Sequence, residues 1–289
     1  MELNRSLHEI SRGEWAFHIP SLSTYLPIVA DLLQRKAITL PTTQKSSSIN
    51  FLDRQGYRVS ALDVMEGNAR QEVVGYASAI GPLMKYSDLC TVGADKLTND
   101  IEMMMSFPNV KGIVLNVDGP GGGVSAVSEF ERLAANKTKP IVALVDMCAS
   151  AHYWASCLVA DHIMASNSIS ACVGSIGVMM SFADNQKYLE EKGIVFHEIY
   201  APQSEHKNLA FKLAREGKYE MIKEEYLSPT AKRFQADVRA ARPNLKEEVG
   251  VLTGKTFGAE EAKEYGMIDS VGSLKKAIDM VMMLSELKY

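Results

Sequence analysis

The sequence predicts an α/β protein in which a mainly parallel sheet is flanked by helices, and three observations carry that prediction. Short aliphatic and β-branched runs (VVGYASAI, KGIVLNV, PIVALV) recur between residues 73 and 145. Segments with apolar residues at helical spacing alternate with them, as repeated strand-to-helix units require. Two of the runs end in turns rich in small residues, DGPGGGV and DMCASA, where open α/β sheets place their functional loops.

In chain order, PSLSTYLPIVADLLQRK (residues 20–36) sets Leu26, Val29, Leu32 and Leu33 on one face and predicts an amphipathic helix. LPTTQKSSSIN (Leu40 to Asn50) is polar and serine-rich and reads as a linker. It divides an N-terminal arm, residues 1–50, from a main domain, residues 51–289. VVGYASAIGP then predicts a strand and turn, LTNDIEMMMSF a helix, KGIVLNV a buried strand and VSAVSEFERLAANK a helix. PIVALV (Pro140 to Val145) predicts the next buried strand. Tyr153, Trp154, Cys157 and Leu158 recur at helical spacing, so a helix starts near Ala151. HIMAS follows as a short strand, NQKYLEEKG as a helix, IVFHEIY as a strand, and the charged stretch Lys218 to Arg242 as a long surface helix. The tail SLKKAIDMVMMLSELK carries an apolar stripe through Leu274, Ile278, Val281 and Leu284, with its methionines as packing residues. No internal repeat interrupts the series.

Composition narrows the function classes. Against 35 acidic residues, 31 lysines and arginines are scattered along the chain, giving a net charge of −4 and no basic footprint for nucleic acid. Cys90, Cys148, Cys157 and Cys172 form no CxxC pair and have no histidine at zinc-ligand spacing. They are expected to be free thiols of a reducing compartment, with no metal and no cofactor. The first thirty residues carry charges throughout and lack a signal-peptide core, and no run of 18 apolar residues occurs. A soluble, cytoplasmic protein without a membrane anchor is expected.

Two strand-to-helix junctions carry the chemistry. DGPGGGV (Asp118 to Val124) is a tight turn, a phosphate loop or an oxyanion hole. It has neither GK[ST] nor GxGxxG, so turn and oxyanion hole remain. At the second junction Ser150 sits where a buried strand gives way to a helix, as a helix N-cap or as a nucleophile over the positive helix end. A nucleophile at one junction and N–H donors from two loops is what acyl transfer needs. NSISACVGSIGV (Asn167 to Val178) adds a small-residue GSIG turn that could line such a site.

In order, GIVLNVDGPGG, KPIVALVDMCASAHYWASCLVADHIMAS, VGSIGV and LTGKTFGAEEAKEYGMIDSVGSLKKAI resemble the motifs of the signal peptide peptidase A family of serine peptidases, over roughly residues 73–280. The resemblance implies the Clp protease/crotonase-like fold, repeated β-β-α units with a mainly parallel sheet. It makes Ser150 the nucleophile and Gly122 and Ala151 the oxyanion donors. Gly121, Gly123, Gly174 and Ser175 are expected to line the substrate cleft. The family's S-G-x-x-K segment corresponds here to Ser204 through Lys207, making Lys207 the general base and Lys212 the fallback; Glu205 stands in place of the glycine. No histidine stands where Clp proteases carry theirs, some 25 residues past the serine. Ala151 and His152 replace the family's paired glycines, and Gly119 replaces the serine before proline. The A-S-A-x-Y-W form resembles the phage-encoded branch that matures capsids. The expected partners are therefore a polypeptide substrate, such as a capsid or scaffold protein, and further copies in a homo-oligomer, in the host cytoplasm if phage-encoded. The alternatives are a bacterial signal-peptide or peptide-degrading peptidase, a crotonase-like acyl-CoA enzyme and a catalytically silent structural homologue.

Overall fold

Successive residues of a strand point to opposite faces of its sheet, and the two central strands, β5 (Val110–Gly119) and β7 (Ile141–Ala149), show that alternation in their packing. Ile113, Leu115, Val117, Ile141, Ala143 and Val145 enter the larger apolar core, while Val114, Val142 and Leu144 enter a second core on the other face. A sheet buried on both faces needs the near-continuous apolar runs that the sequence supplies. The computed structural model describes residues 14–17, 49–69, 71–87, 92–182, 184 and 186–288. The expected helix over residues 20–36 and most of the linker lie outside them.

The main sheet also contains β2 (Asn50–Leu52), β3 (Arg58–Val59), β4 (Val73–Ile80), β8 (His162–Ala165), β9 (Cys172–Gly174), β11 (Thr256–Gly258) and β12 (Ser270–Val271). Its order is β11-β9-β7-β5-β4-β2-β3, with β8 pairing β7 and β12 pairing β8. The pairs β4/β5, β5/β7, β7/β8, β7/β9 and β8/β12 are parallel; β2 and β11 join antiparallel. This is the mainly parallel, helix-flanked α/β architecture expected from the sequence.

Among the described residues the helices are α1 (Ala61–Met65), α2 (Ala94–Ser106), α3 (Val124–Asn136), α4 (Ala151–Val159), α5 (Gln186–Glu191), α6 (Leu209–Arg215), α7 (Ser228–Ala241), α8 (Ala259–Glu264) and α9 (Leu274–Lys288). The predicted apolar stripe of α9 covers the second core. Ile278 and Val281 are fully buried there against Val114 and Val142, and each contributes about 1.5–3 kcal/mol. The charged stretch from Lys218 forms a π-helical segment, Ile222–Leu227, that runs into α7. It docks by one face through Ile222, Phe234 and Val238.

A small second sheet has the order β10-β1-β6, where β10 is Met179–Met180, β1 is Glu14–Phe17 and β6 is Gly121–Gly123. The sequence reading leaves β1 inside the N-terminal arm without structure, because its pairing partners lie more than a hundred residues away. One expected strand does not form: IVFHEIY, residues 194–200, pairs with no described strand, and Val195 and Ile199 are 73% and 93% exposed. An alternating apolar run becomes a strand only where a neighbouring edge accepts its backbone.

Candidate active site

The carboxyl ends of β5, β7 and β9 converge, bringing Gly119, Ser150 and Gly174 to one edge of the sheet. Ser150 follows β7 directly and adopts φ 57° and ψ −118°, a combination that side chains other than glycine rarely take. Such strain costs about 1–3 kcal/mol and persists only where neighbours enforce it. Here the Ser150 N–H donates to the Gly174 carbonyl at 2.7 Å, and the Ser150 carbonyl accepts from Trp154 N–H at 2.9 Å. The Ser150 side chain makes no capping hydrogen bond to α4. Its hydroxyl donates only at long range, 3.5 Å, to the Gly177 carbonyl. The N-cap reading therefore fails: the hydroxyl is held close to the helix start yet left almost uncommitted. Ala151 opens α4, where the backbone N–H has no acceptor within the helix and the positive end of the helix dipole lies.

The glycine-rich junction is held from two sides. Leu83 N–H donates to the Gly121 carbonyl at 2.8 Å, and Gly123 N–H donates to the Leu83 carbonyl at 3.0 Å. Residues along a strand alternate direction, so the Gly122 N–H faces away from Leu83. A Cβ at Gly122 would stand 1.9 Å from the Leu83 carbonyl oxygen, so only glycine fits. On the other side, Gly121 N–H donates to His152 Nδ1 at 3.0 Å. With Nδ1 accepting, the ring proton resides on Nε2, which is buried without a partner among the described residues. Burial pushes the His152 pKa down to about 3, so the ring is neutral and serves as a fixed acceptor.

This contact explains two departures from the family pattern together. A Cβ on residue 119 would lie 2.3 Å from His152 Cε1 and 2.4 Å from the Gly81 carbonyl oxygen. The ring that replaces a glycine at 152 thus occupies the space a serine side chain would need at 119. Neither the role of His152 nor that of Leu83 follows from the sequence. The only signal is the pairing of an unexpected bulky residue at one junction with an unexpected glycine at the other.

The rest of α4 fastens the turn. Tyr153 Oη donates to the Met267 carbonyl at 2.8 Å, and Trp154 Nε1 donates to Asp237 Oδ2 at 2.8 Å while its ring stacks on Phe234 at 4.5 Å. Gly174 and Ser175, expected in the cleft, lie against the Ser150 turn, and Ser175 N–H donates to the Lys255 carbonyl at 2.8 Å. Cys148, the other conceivable nucleophile, is fully buried beside Ser156 Oγ at 3.5 Å, and burial pushes its thiol pKa up, away from the reactive thiolate.

The structure thus unites Ser150, Ala151, Gly121, Gly122, Gly123, Gly174 and Ser175. Lys207 stands elsewhere, in an exposed turn after the 3-10 segment Pro202–Ser204, with its N–H donating to the Ser204 carbonyl at 3.0 Å. Lys212 is exposed on α6. Among the described residues no hydrogen bond links either amine to Ser150, and no group of three or more His, Cys, Asp or Glu side chains could hold a metal. No described helix is long and apolar enough to cross a membrane.

Comparison with known proteins places this geometry in a lineage. Protease 4 of Salmonella typhi is 31% identical over 202 residues, covering 68% of this chain and 32% of that protein. The capsid assembly protease C of Escherichia phage lambda is 27% identical over 177 residues, covering 60% of this chain and 39% of that one. The chain therefore spans about a third to two-fifths of these two relatives. Among solved structures, a mutant of the 1510-N membrane-bound stomatin-specific protease aligns with a TM-score of 0.45 and 14% identity, over 71% of this chain and 81% of that one. Residues 134–288, more than half of the chain and including Ser150, match peptidase family S49, and the chain belongs to that family.

Proposed function

We propose that the protein is a serine endopeptidase that cleaves polypeptides through an acyl-enzyme on Ser150. The observation that carries this reading is the Ser150 turn, a strained serine at a strand-to-helix junction whose hydroxyl caps nothing. A substrate carbonyl lying between Gly122 N–H and Ala151 N–H receives the Ser150 oxygen, and the resulting oxyanion is stabilised by those two donors. The amine leaves with a proton, and water then releases the acyl group.

Lys207 is the base on this reading. A base must come within hydrogen-bond reach of the hydroxyl, so the exposed segment that carries Lys207 closes over Ser150 from its own chain or from a neighbouring copy of a homo-oligomer. The kinship with the lambda capsid assembly protease favours a capsid or scaffold polypeptide as substrate. Fluorophosphonate labelling tests the reading. Wild type is expected to be modified once, at Ser150, and Ser150→Ala not at all; an unlabelled, folded wild type would instead fit an acyl-CoA enzyme or a silent scaffold.

A further inference from the structure

The strand β1 (Glu14–Phe17) joins the small sheet, where it lies between β6 and β10. It runs antiparallel to both, with Trp15, Ala16 and Phe17 opposite Gly123, Gly122 and Gly121, and Glu14 and Trp15 opposite Met180 and Met179. Neighbouring strands sit about 4.8 Å apart, so β6 and β10 bound a gap of one strand's width. β1 fills it and also lies against α3 and α4.

The register decides what this occupancy means. The Gly121 carbonyl and the Gly123 N–H are both spent on Leu83, so the N–H and carbonyl of Gly122 face β1, and the residue opposite is Ala16. Gly122 N–H is the donor that the proposed mechanism assigns to the oxyanion. An extended peptide crossing this slot antiparallel to β6 would bring its reacting carbonyl to the same donor. Main-chain pairing of this kind reads backbone rather than side chains, so any extended segment of matching polarity competes for it. Ser150, beside the slot, is 1% exposed.

We infer that β1 is a self-ligand of the substrate slot: the chain's own residues 14–17 bind as an extended peptide substrate would, with Ala16 at the reacting position, and exclude other polypeptides until they withdraw. The inference rests on the proposed peptidase reading for the meaning of the slot. A strand attached to the same chain meets its site at an effective concentration on the order of millimolar, which free peptide at micromolar levels cannot match. The apparent affinity for an outside substrate falls by the fraction of time the slot stands open.

Binding without catalysis separates this inference from the peptidase reading. A fluorescein-labelled peptide of residues 11–22 is titrated, by anisotropy, into three Ser150→Ala proteins: the full chain, the chain lacking residues 1–17, and the full chain carrying Ala16→Pro. Proline removes the amide hydrogen that faces the Gly122 carbonyl. The truncated and Ala16→Pro proteins should bind the peptide at least about tenfold more tightly than the full chain, and the same peptide carrying Ala16→Pro should bind the truncated chain about tenfold less tightly. Equal affinity across the three proteins, or equal affinity for the two peptides, overturns the self-ligand. The Ala16→Pro protein retains every residue of the main sheet, so it decides the matter even if the truncated chain does not fold. Absence of fluorophosphonate labelling at Ser150 in a truncated chain that still binds peptide would count against the peptidase reading alone.

Discussion

The turn that carries Ser150 is buried, backed by the larger apolar core and tied through His152, Tyr153 and Trp154 to three other parts of the chain. The stretch that carries Lys207, from residue 194 to residue 208, is almost wholly exposed and contributes no strand. Close to it in the chain, Phe182 meets Phe211 edge-on. One half of the proposed dyad is therefore preorganised by folding, whereas the other half must be delivered. On the proposed mechanism the fixed Ser150 turn would set the direction of attack, and the exposed position of Lys207 would leave its timing open to control.

The sharpest way to break this contrast is Ser150→Ala. Cleavage should fall by about 10⁴-fold or more, while stability stays within about 1 kcal/mol, because no capping bond is lost. Retained cleavage in a pure preparation would remove Ser150 from the mechanism.

Acid should destabilise the fold through His152. The His152 pKa of about 3 in the folded state lies below its ordinary 6.5, so between these values the unfolded chain binds a proton that the folded chain does not. Stability is then fully present above pH 6.5 and is lost as pH falls toward 3, by about 1.4 kcal/mol per unit and at most about 5 kcal/mol. Denaturant titrations between pH 7 and pH 4 should show a shallower acid slope for His152→Asn than for wild type. Identical slopes would assign the effect to another group.

In the delivered half, activity and stability should separate. Lys207→Ala and Lys207→Arg should both lose about a hundredfold or more in kcat/KM, because arginine cannot accept the proton. Their unfolding free energies should stay within about 0.5 kcal/mol of wild type, as expected for an exposed turn. An active Lys207→Arg enzyme would make the residue a charge rather than a base, and Lys212 would be tested next.

The smallest effect probes the packing between the two junctions. Gly119→Ser should destabilise by about 1–3 kcal/mol through overlap with the His152 ring and the Gly81 carbonyl. Adding His152→Gly should recover part of that loss, because one of the two obstacles is removed. A double-mutant cycle with no coupling would show that the two positions vary independently.

Much of the rigid half can be read from the sequence. Buried strands announce themselves as aliphatic runs, and the small-residue turns at their ends mark Ser150, Gly122 and Gly174 as neighbours. The amphipathic stripe of α9 is equally plain, since local periodicity and burial agree. What escapes has non-local causes. β1 is four residues long and exists only because two distant strands leave a gap for it. Residues 194–200 have a strand's composition but pair with no described strand. His152 looks like an anomaly until the ring is seen against Gly121 and Gly119. The Ser150 conformation is likewise invisible in composition, because serine at a helix start ordinarily means a cap.

That conformation sets the protein's evolutionary arithmetic at one codon. A glycine at position 150 would occupy φ 57° without the crowding that a Cβ meets there, so drift toward a more robust fold runs against keeping the hydroxyl. On the proposed mechanism, selection for the reaction is what holds serine at this site. A descendant kept for its shape alone, as a shell or scaffold component, would be free to exchange it, and glycine at this turn would record the loss of the reaction in an otherwise intact fold.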